Sequence, residues 1–202
     1  SRRANAVQAF GKPIAAPSAN PSGRISPSNA KHVLDGLGGR LDLLLDGGSC
    51  ESGLESTIID CTGDAARLLR PGGITREALA AALTAANCNP QIDIAEPLAD
   101  HENPVAPGQL ASHYAPKAAV RLMAKTSTAD EELIGFGNVS GAGKLALNLS
   151  PSADLVEAAA NLFSMLHAVD AADIAKIAIA PIPDIGLGEA INDRLRRAAA
   201  PR

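Results

Sequence analysis

The sequence predicts an α/β protein in two parts joined by a linker, and three observations carry that prediction. Over residues 117–202, apolar strand-like runs alternate with helix-period segments, the pattern of a small layered domain with a largely parallel sheet. Residues 1–86 hold a shorter series of strand and helix signals, broken by loops rich in Gly, Ser and Pro. Residues 87–116 lose periodicity and carry Pro90, Pro97, Pro104, Pro107 and Pro116. A structureless stretch of that length reads as a linker, and such stretches are often either disordered or functional.

Taken in order, residues 4–10 predict a short amphipathic helix with Gly11 just past its end. PIAAPSANPSG then reads as a brief strand followed by a loop. Ser26-Pro27 has the form of a cap followed by proline in the first helical position, opening a helix through Ala30, Val33 and Leu34 that Gly36 would stop. LDLLLD at 41–46 is a continuous apolar run and predicts a buried strand. STIIDCT at 56–62 and ARLLR at 66–70 are further strands around a Gly63-Asp64 turn. Thr75 caps the helix REALAAALTAA.

Beyond the linker, AAVRLMA, ELIGF and KLALNL are strand candidates, and Ser150-Pro151 repeats the cap signature. Leu155, Ala159, Leu162, Phe163, Leu166 and Val169 then recur at helical spacing. KIAIAPIP is another strand, and Ile191, Leu195 and Ala198 place a closing helix from Gly188 onward.

Composition narrows the functions. Of 202 residues, 46% are hydrophobic, with three Phe, one Tyr and no Trp, so the core is aliphatic and base-stacking recognition of single strands is disfavoured. Eighteen Lys and Arg against 22 Asp and Glu give a net charge of −4, which argues against a direct, stable grip on nucleic acid. The apolar stretches are too short to span a bilayer and no signal peptide is visible, so the expectation is a cytoplasmic protein with no membrane role. Cys50, Cys61 and Cys88 lack CxxC spacing, which fits a reducing compartment and predicts small core residues. The chain opens Ser-Arg-Arg in helical pattern, and the expectation is that it begins inside a larger fold.

Four places could carry chemistry. Pro17-Ser18-Ala19-Asn20, with Ser26 and Ser28 nearby, is either a polar turn capping a helix or an anion site of hydroxyls and helix N–H groups. Gly47 to Gly53, followed by Glu55-Ser56-Thr57, is either a flexible connection or a loop that a ligand approaches closely. Its spacing fits neither dinucleotide nor P-loop patterns. Arg70, leaving an apolar strand before Pro-Gly-Gly, is either a surface ion pair or a bidentate phosphate ligand. His113-Tyr114 in the linker is either solvated or part of a strap over a pocket. The four His show no metal-ligand spacing, and Arg194 to Arg197 reads as charge complementing a helix C-terminus.

KPIAAPSANPSGRISPSNAKHV, ESGLESTIIDCT, LLRPGGIT and APGQLASHYAPKA occur in this order. Together they resemble the YrdC-like threonylcarbamoyl-AMP synthases in their two-domain form. GFGN, LNLSPSADLVEAAANLF and IPDIGLGEAINDRLRRAA resemble that family's C-terminal accessory domain. The resemblance implies the C-terminal part of a YrdC-like α/β catalytic domain over 1–86, a linker over 87–116 and a small Rossmann-like accessory domain over 117–202.

It further implies a nucleotidyltransferase that condenses L-threonine, bicarbonate and ATP into threonylcarbamoyl-adenylate and releases pyrophosphate. A separate tRNA threonylcarbamoyl transferase would consume the product, and Mg²⁺ would accompany the triphosphate. By the same resemblance, Asn20, Ser28, Arg70 and Tyr114 would bind ATP, and Ser18 and Ser56 would face L-threonine. The family's upstream Thr/Tyr loop and Lys-x-Arg segment have no counterpart here, so the resemblance implies an N-terminally truncated chain, inactive or impaired by itself. Two rivals are a carbamoyl-transfer enzyme of the same fold and a non-catalytic nucleotide- or RNA-binding module.

Overall fold

The computed structural model describes residues 7–89, 91–94 and 112–201. It is a mixed α/β structure with two small sheets. Residues 7–10 are helical and close on Gly11, whose N–H reaches the Val7 carbonyl at 3.0 Å with φ at +67°. Helix α1 (Ala30–Leu37) starts later than Ser26-Pro27 predicts, because the Asn29 side chain supplies the cap and accepts from the His32 N–H at 3.0 Å. Only Val33 of this helix is buried.

The first sheet joins β1 (Ile58–Asp60), β2 (Ala66–Arg70) and β3 (Ile92–Ile94) in that order. The β1–β2 pair is antiparallel with an irregularity between Ile58 and Ile59, and β2–β3 is parallel. Between β2 and β3 runs α2 (Arg76–Ala85), capped by Thr75 as the sequence predicts. Residues 92–94 therefore add a strand inside the segment expected to be structureless. Their three-residue ladder is too short to show as a period, and β2 stabilises it from outside the segment. The linker prolines Pro90, Pro97, Pro104 and Pro107 lie outside the described residues.

The apolar run at 41–46 is not a strand. Leu41, Leu43 and Leu45 are exposed, Leu43 by 76%. A strand exists only through its ladder, and among the described residues none pairs with this run.

The second sheet is entirely parallel, in the order β4 (Ala119–Arg121), β6 (Lys176–Ile179), β5 (Glu132–Ile134). KLALNL contributes only the isolated bridge of Asn148 to Gly135 and is otherwise irregular. Helix α3 (Leu155–Ala171) is capped by Asp154, whose carboxylate accepts from Val156 and Glu157 N–H groups. The sequence places the cap signature at Ser150-Pro151, four residues earlier. The Ser150 hydroxyl instead accepts the Asp154 N–H at 2.9 Å and donates to Glu157, bracing the turn one step earlier. Helix α4 (Leu187–Ala199) closes the chain.

The core is aliphatic, as composition requires. The α3 stripe of Ala159, Leu162, Phe163, Leu166 and Val169 packs with Ile134, Ile177, Ile179 and Ile191. Ile25 and Tyr114, from the loop and the strap, enter the same cluster. Arg76 of α2 also pairs with Glu189 of α4 and donates to the Ile92 carbonyl at 3.2 Å. Cys50, Cys61 and Cys88 are exposed rather than core residues, because all three stand in connecting loops, which run over the surface. Among the described residues no helix is long and apolar enough to cross a membrane.

Candidate functional site

A cavity of about 450 Å³ opens where the two parts meet. Its wall carries Ser18, Ser26, Ser28, Asp46 and Glu55, with Phe163 of α3 as its apolar floor. Two glycines let the wall close. Gly53 lies directly against α3, where an added Cβ would stand 2.1 Å from the Ala159 carbonyl oxygen. At Gly72 a Cβ would fall 2.4 Å from the Thr57 nitrogen. The segment from Gly53 to Thr57 is thus held between a helix backbone and the Pro-Gly-Gly turn.

Glu55 is the electrostatic centre. Ser26 Oγ donates to Glu55 Oε1 at 2.6 Å, and Arg194 Nε donates to Oε2 at 2.9 Å. Burial works to raise the Glu55 carboxyl, but the Arg194 charge and the hydrogen bonds from Ser26 and Arg194 outweigh it, so its pKa lies below the ordinary glutamate range. Arg194 also donates from Nη1 to Asp193 at 2.6 Å, and its guanidinium lies 5.1 Å from the centre of the Tyr114 ring.

The six residues expected to bind substrates distribute around this centre. Ser18 and Ser28 stand on the cavity wall. Ser28 Oγ lies 3.1 Å from His32 Nδ1 and 3.0 Å from Ser164 Oγ of α3. Asn20 does not line the cavity; its amide donates to the Arg24 carbonyl at 3.0 Å. Arg70 and Ser56 are joined to each other. Arg70 Nε and Nη2 donate to the Ser56 carbonyl at 3.1 and 2.9 Å, and Nη2 reaches Ser56 Oγ at 3.2 Å. Tyr114, 1% exposed, is a core residue with φ at +59°, its ring 5.6 Å from Phe163 and 4.1 Å from His113. Burial raises the Tyr114 phenol above its usual range, and burial lowers the neighbouring His113. The structure therefore brings Ser18 and Ser28 to one hollow and leaves Asn20, Ser56, Arg70 and Tyr114 off its wall: Tyr114 backs Phe163, and Arg70 holds Ser56 beside Glu55.

Glu55 falls within the second candidate stretch, whereas Phe163 reads only as part of the α3 stripe and Arg194 only as a helix-end charge. The sequence reads Arg194 as a charge complementing a helix C-terminus, and the structure buries it at 1% exposure. The signal was present: Arg194 follows Ile191 by three positions and precedes Ala198 by four, which places it on the buried stripe of α4.

The His32 and His167 rings stack at 3.8 Å, bridging α1 and α3, and His167 Nε2 lies 3.1 Å from the Ser26 carbonyl. Burial, then the neighbouring His167 charge, pulls His32 down to about 4 from 6.5. Burial lowers His167 as well. The unfolded chain therefore takes up these protons at higher pH than the folded one. Their contribution to stability is complete above about pH 6.5 and is lost as pH falls toward 4. The melting temperature of the full-length protein is expected to fall over that window, and His32→Gln should make the decline shallower. Equal slopes for the two proteins would refute the assignment.

Comparison with known proteins agrees with this architecture. Residues 74–200 match the family described as threonylcarbamoyl-AMP synthase, C-terminal domain, and residues 4–72 match one described as telomere recombination. The threonylcarbamoyl-AMP synthase of Bacillus subtilis (strain 168) is 35% identical over 97% of this chain and 60% of its own length. That of Pyrococcus abyssi (strain GE5 / Orsay) is 34% identical over 95% of this chain and 59% of its own. The crystal structure of P. abyssi Sua5 complexed with L-threonine superposes with a TM-score of 0.77 at 31% identity, covering 96% of this chain and 59% of that one. The chain thus spans about 60% of the length of these curated relatives. With both segments matched in order and the solved relative sharing the fold, the chain belongs to the threonylcarbamoyl-AMP synthase family.

Proposed function

We propose that this chain supplies part of the active site of an L-threonylcarbamoyladenylate synthase, which joins L-threonine, bicarbonate and ATP and releases pyrophosphate for threonylcarbamoyladenosine formation in tRNA. The observation that carries the reading is the cavity itself: Ser18, Ser26, Ser28 and the N-terminal turn of α1 share one hollow with the carboxylate of Glu55, which Ser26 and Arg194 anchor. Hydroxyls and helix N–H groups suit phosphate oxygens. A carboxylate held in its charged form suits an ammonium or hydroxyl donor, which L-threonine carries. Forming an adenylate displaces pyrophosphate from the α-phosphorus, so the protein's task is positioning and charge compensation rather than covalent attack. The relative solved with L-threonine supports an amino-acid subsite in this fold.

In this reading Ser18 and Ser56 serve threonine, while Asn20, Ser28, Arg70 and Tyr114 serve ATP, Tyr114 from behind Phe163. Mg²⁺ takes one or two carboxylates and keeps water and phosphate oxygens as its other ligands. With Glu55 held by Ser26 and Arg194, Asp46 is the carboxylate of the cavity wall that would hold the ion alongside phosphate oxygens, and bound Mg²⁺ would neutralise triphosphate charge. Residues 1–86 form the catalytic portion, 87–116 the connecting strap and 117–202 a Rossmann-like accessory unit, a reading supported by the parallel β4-β6-β5 order. The protein acts in the cytoplasm, where a tRNA threonylcarbamoyl transferase receives the product.

The test incubates the full-length protein with all three substrates and follows pyrophosphate. Release that depends on threonine and bicarbonate is expected. Release unaffected by omitting threonine, with another carbamoylated product by mass spectrometry, would overturn the reading in favour of a different acceptor. Arg70→Ala is expected to lower kcat/KM at least about tenfold, because a charged hydrogen-bond donor of roughly 1.5–3 kcal/mol is removed. An unchanged rate would remove Arg70 from the site.

A further inference from the structure

The three segments that line or back the cavity share a single contact. Ser26 belongs to the loop before α1, Glu55 to the segment before β1 and Tyr114 to the strap. All three meet Arg194, directly or through Glu55. Arg194 arrives from α4, 139 positions along the chain from Glu55.

Its stability value does not account for it. A buried Arg–carboxylate pair is commonly matched or exceeded by apolar residues of similar volume. Position 194 lies on an otherwise apolar stripe beside Ile191, Leu195 and Ala198, where such a residue would pack. The guanidinium is also used in a way that only its shape allows. Nε serves Glu55 and Nη1 serves Asp193, while its carbon lies over the Tyr114 ring. A lysine ammonium is a point charge on a flexible stem and cannot hold these three relations together.

The orientation is set in advance by α4. Asp193 is held in turn by Arg197 Nε at 3.1 Å, and the Arg197 carbonyl accepts the His113 N–H of the strap at 3.3 Å. Downstream of Arg194, Glu55 has both oxygens engaged. The next residue, Ser56, has its carbonyl fixed by Arg70. A shift of α4 would therefore move the carboxylate that faces the cavity, the Ser26 hydroxyl bound to it and the backbone leading into Ser56.

We propose that Arg194 is a positioning residue through which helix α4 sets the cavity wall, holding Glu55, and with it Ser26 and Ser56, in the arrangement that receives the amino-acid substrate. This rests on the functional reading above and extends it to the role of the C-terminal unit. That unit does not touch substrate through Arg194; it orders the residues that do.

The experiment uses the full-length protein with Arg194→Lys, which keeps the charge and loses the fork, and with Glu55→Gln. Melting temperature, L-threonine KM, ATP KM, kcat and amide hydrogen exchange are measured for each. Arg194→Lys is expected to fold cooperatively, to raise the threonine KM about tenfold with kcat changed less than about threefold, and to speed exchange at residues 53–57 about tenfold. Exchange within α3 should stay unchanged, since its packing is not altered. Native threonine KM together with native exchange at 53–57 overturns the proposal. So does a loss that runs equally through both KM values, kcat and melting temperature, because that is the result for a residue that only stabilises. If Arg194→Lys fails to fold, Glu55→Gln is read on exchange alone, since Glu55 itself faces the substrate: faster exchange at 53–57 supports the proposal and native exchange there overturns it. A wild-type protein that releases no pyrophosphate would sink the functional reading alone, and exchange at 53–57 would still decide whether Arg194 orders Glu55.

Discussion

Replacing Gly53 with alanine is expected to lower the stability of the full-length protein by about 3 kcal/mol or more. Two costs combine. The backbone at Gly53 has φ at +64°, a conformation that disfavours any Cβ. The added carbon would also stand 2.1 Å from the Ala159 carbonyl oxygen and 2.5 Å from the Ala160 Cα. Both are helix backbone atoms and cannot swing aside like the end of a long side chain. Relief would require lifting the segment off α3, which would carry Glu55 away from Arg194. Gly48 provides the control: its φ is +85°, but nothing lies within 4 Å of its Cβ position. Gly48→Ala should therefore lose only the conformational part, about 1–2 kcal/mol. Denaturant unfolding of the two variants checks the difference, and equal midpoints would refute the close contact.

Phe163→Ala should cost about 3–5 kcal/mol, the range for removing a buried aromatic from a packed core. Phe163 is 2% exposed, floors the cavity and lies against Tyr114. Its removal would enlarge the cavity and leave the Tyr114 ring without one of its faces, so the strap should loosen along with the core. Phe163→Leu keeps most of the volume and is expected to cost less than half as much. A denaturant series on both variants tests the ordering. Amide exchange at 113–115 that is faster in Phe163→Ala, but near native in Phe163→Leu, would tie the strap to this one ring. Unchanged exchange in both would separate them.

The largest elements were legible because their signals are local. The α3 stripe predicted from Leu155 to Val169 is the buried face of that helix. Thr75 caps α2 as the sequence predicts, and β2, β5 and β6 read directly as apolar or β-branched runs. The strand expectations that fail share one cause. LDLLLD and KLALNL have the composition of strands, but a strand needs a partner that composition does not name. The Ile92–Ile94 strand is the converse case, formed because β2 offers an edge to a segment with little signal of its own.

By itself the sequence determined the α/β class, the aliphatic core, the helices with clear periods and the ordered motifs that resemble one enzyme family. Tertiary structure alone decided which of those motifs meet. Periodicity reports which face of a segment turns inward, and it does so over a few neighbouring residues. The pairing of Arg194 with Glu55 depends instead on how α3 and α4 seat against the first part of the chain. Burial in low dielectric makes that pairing matter, since two charges removed from water must find one another across 139 positions of sequence.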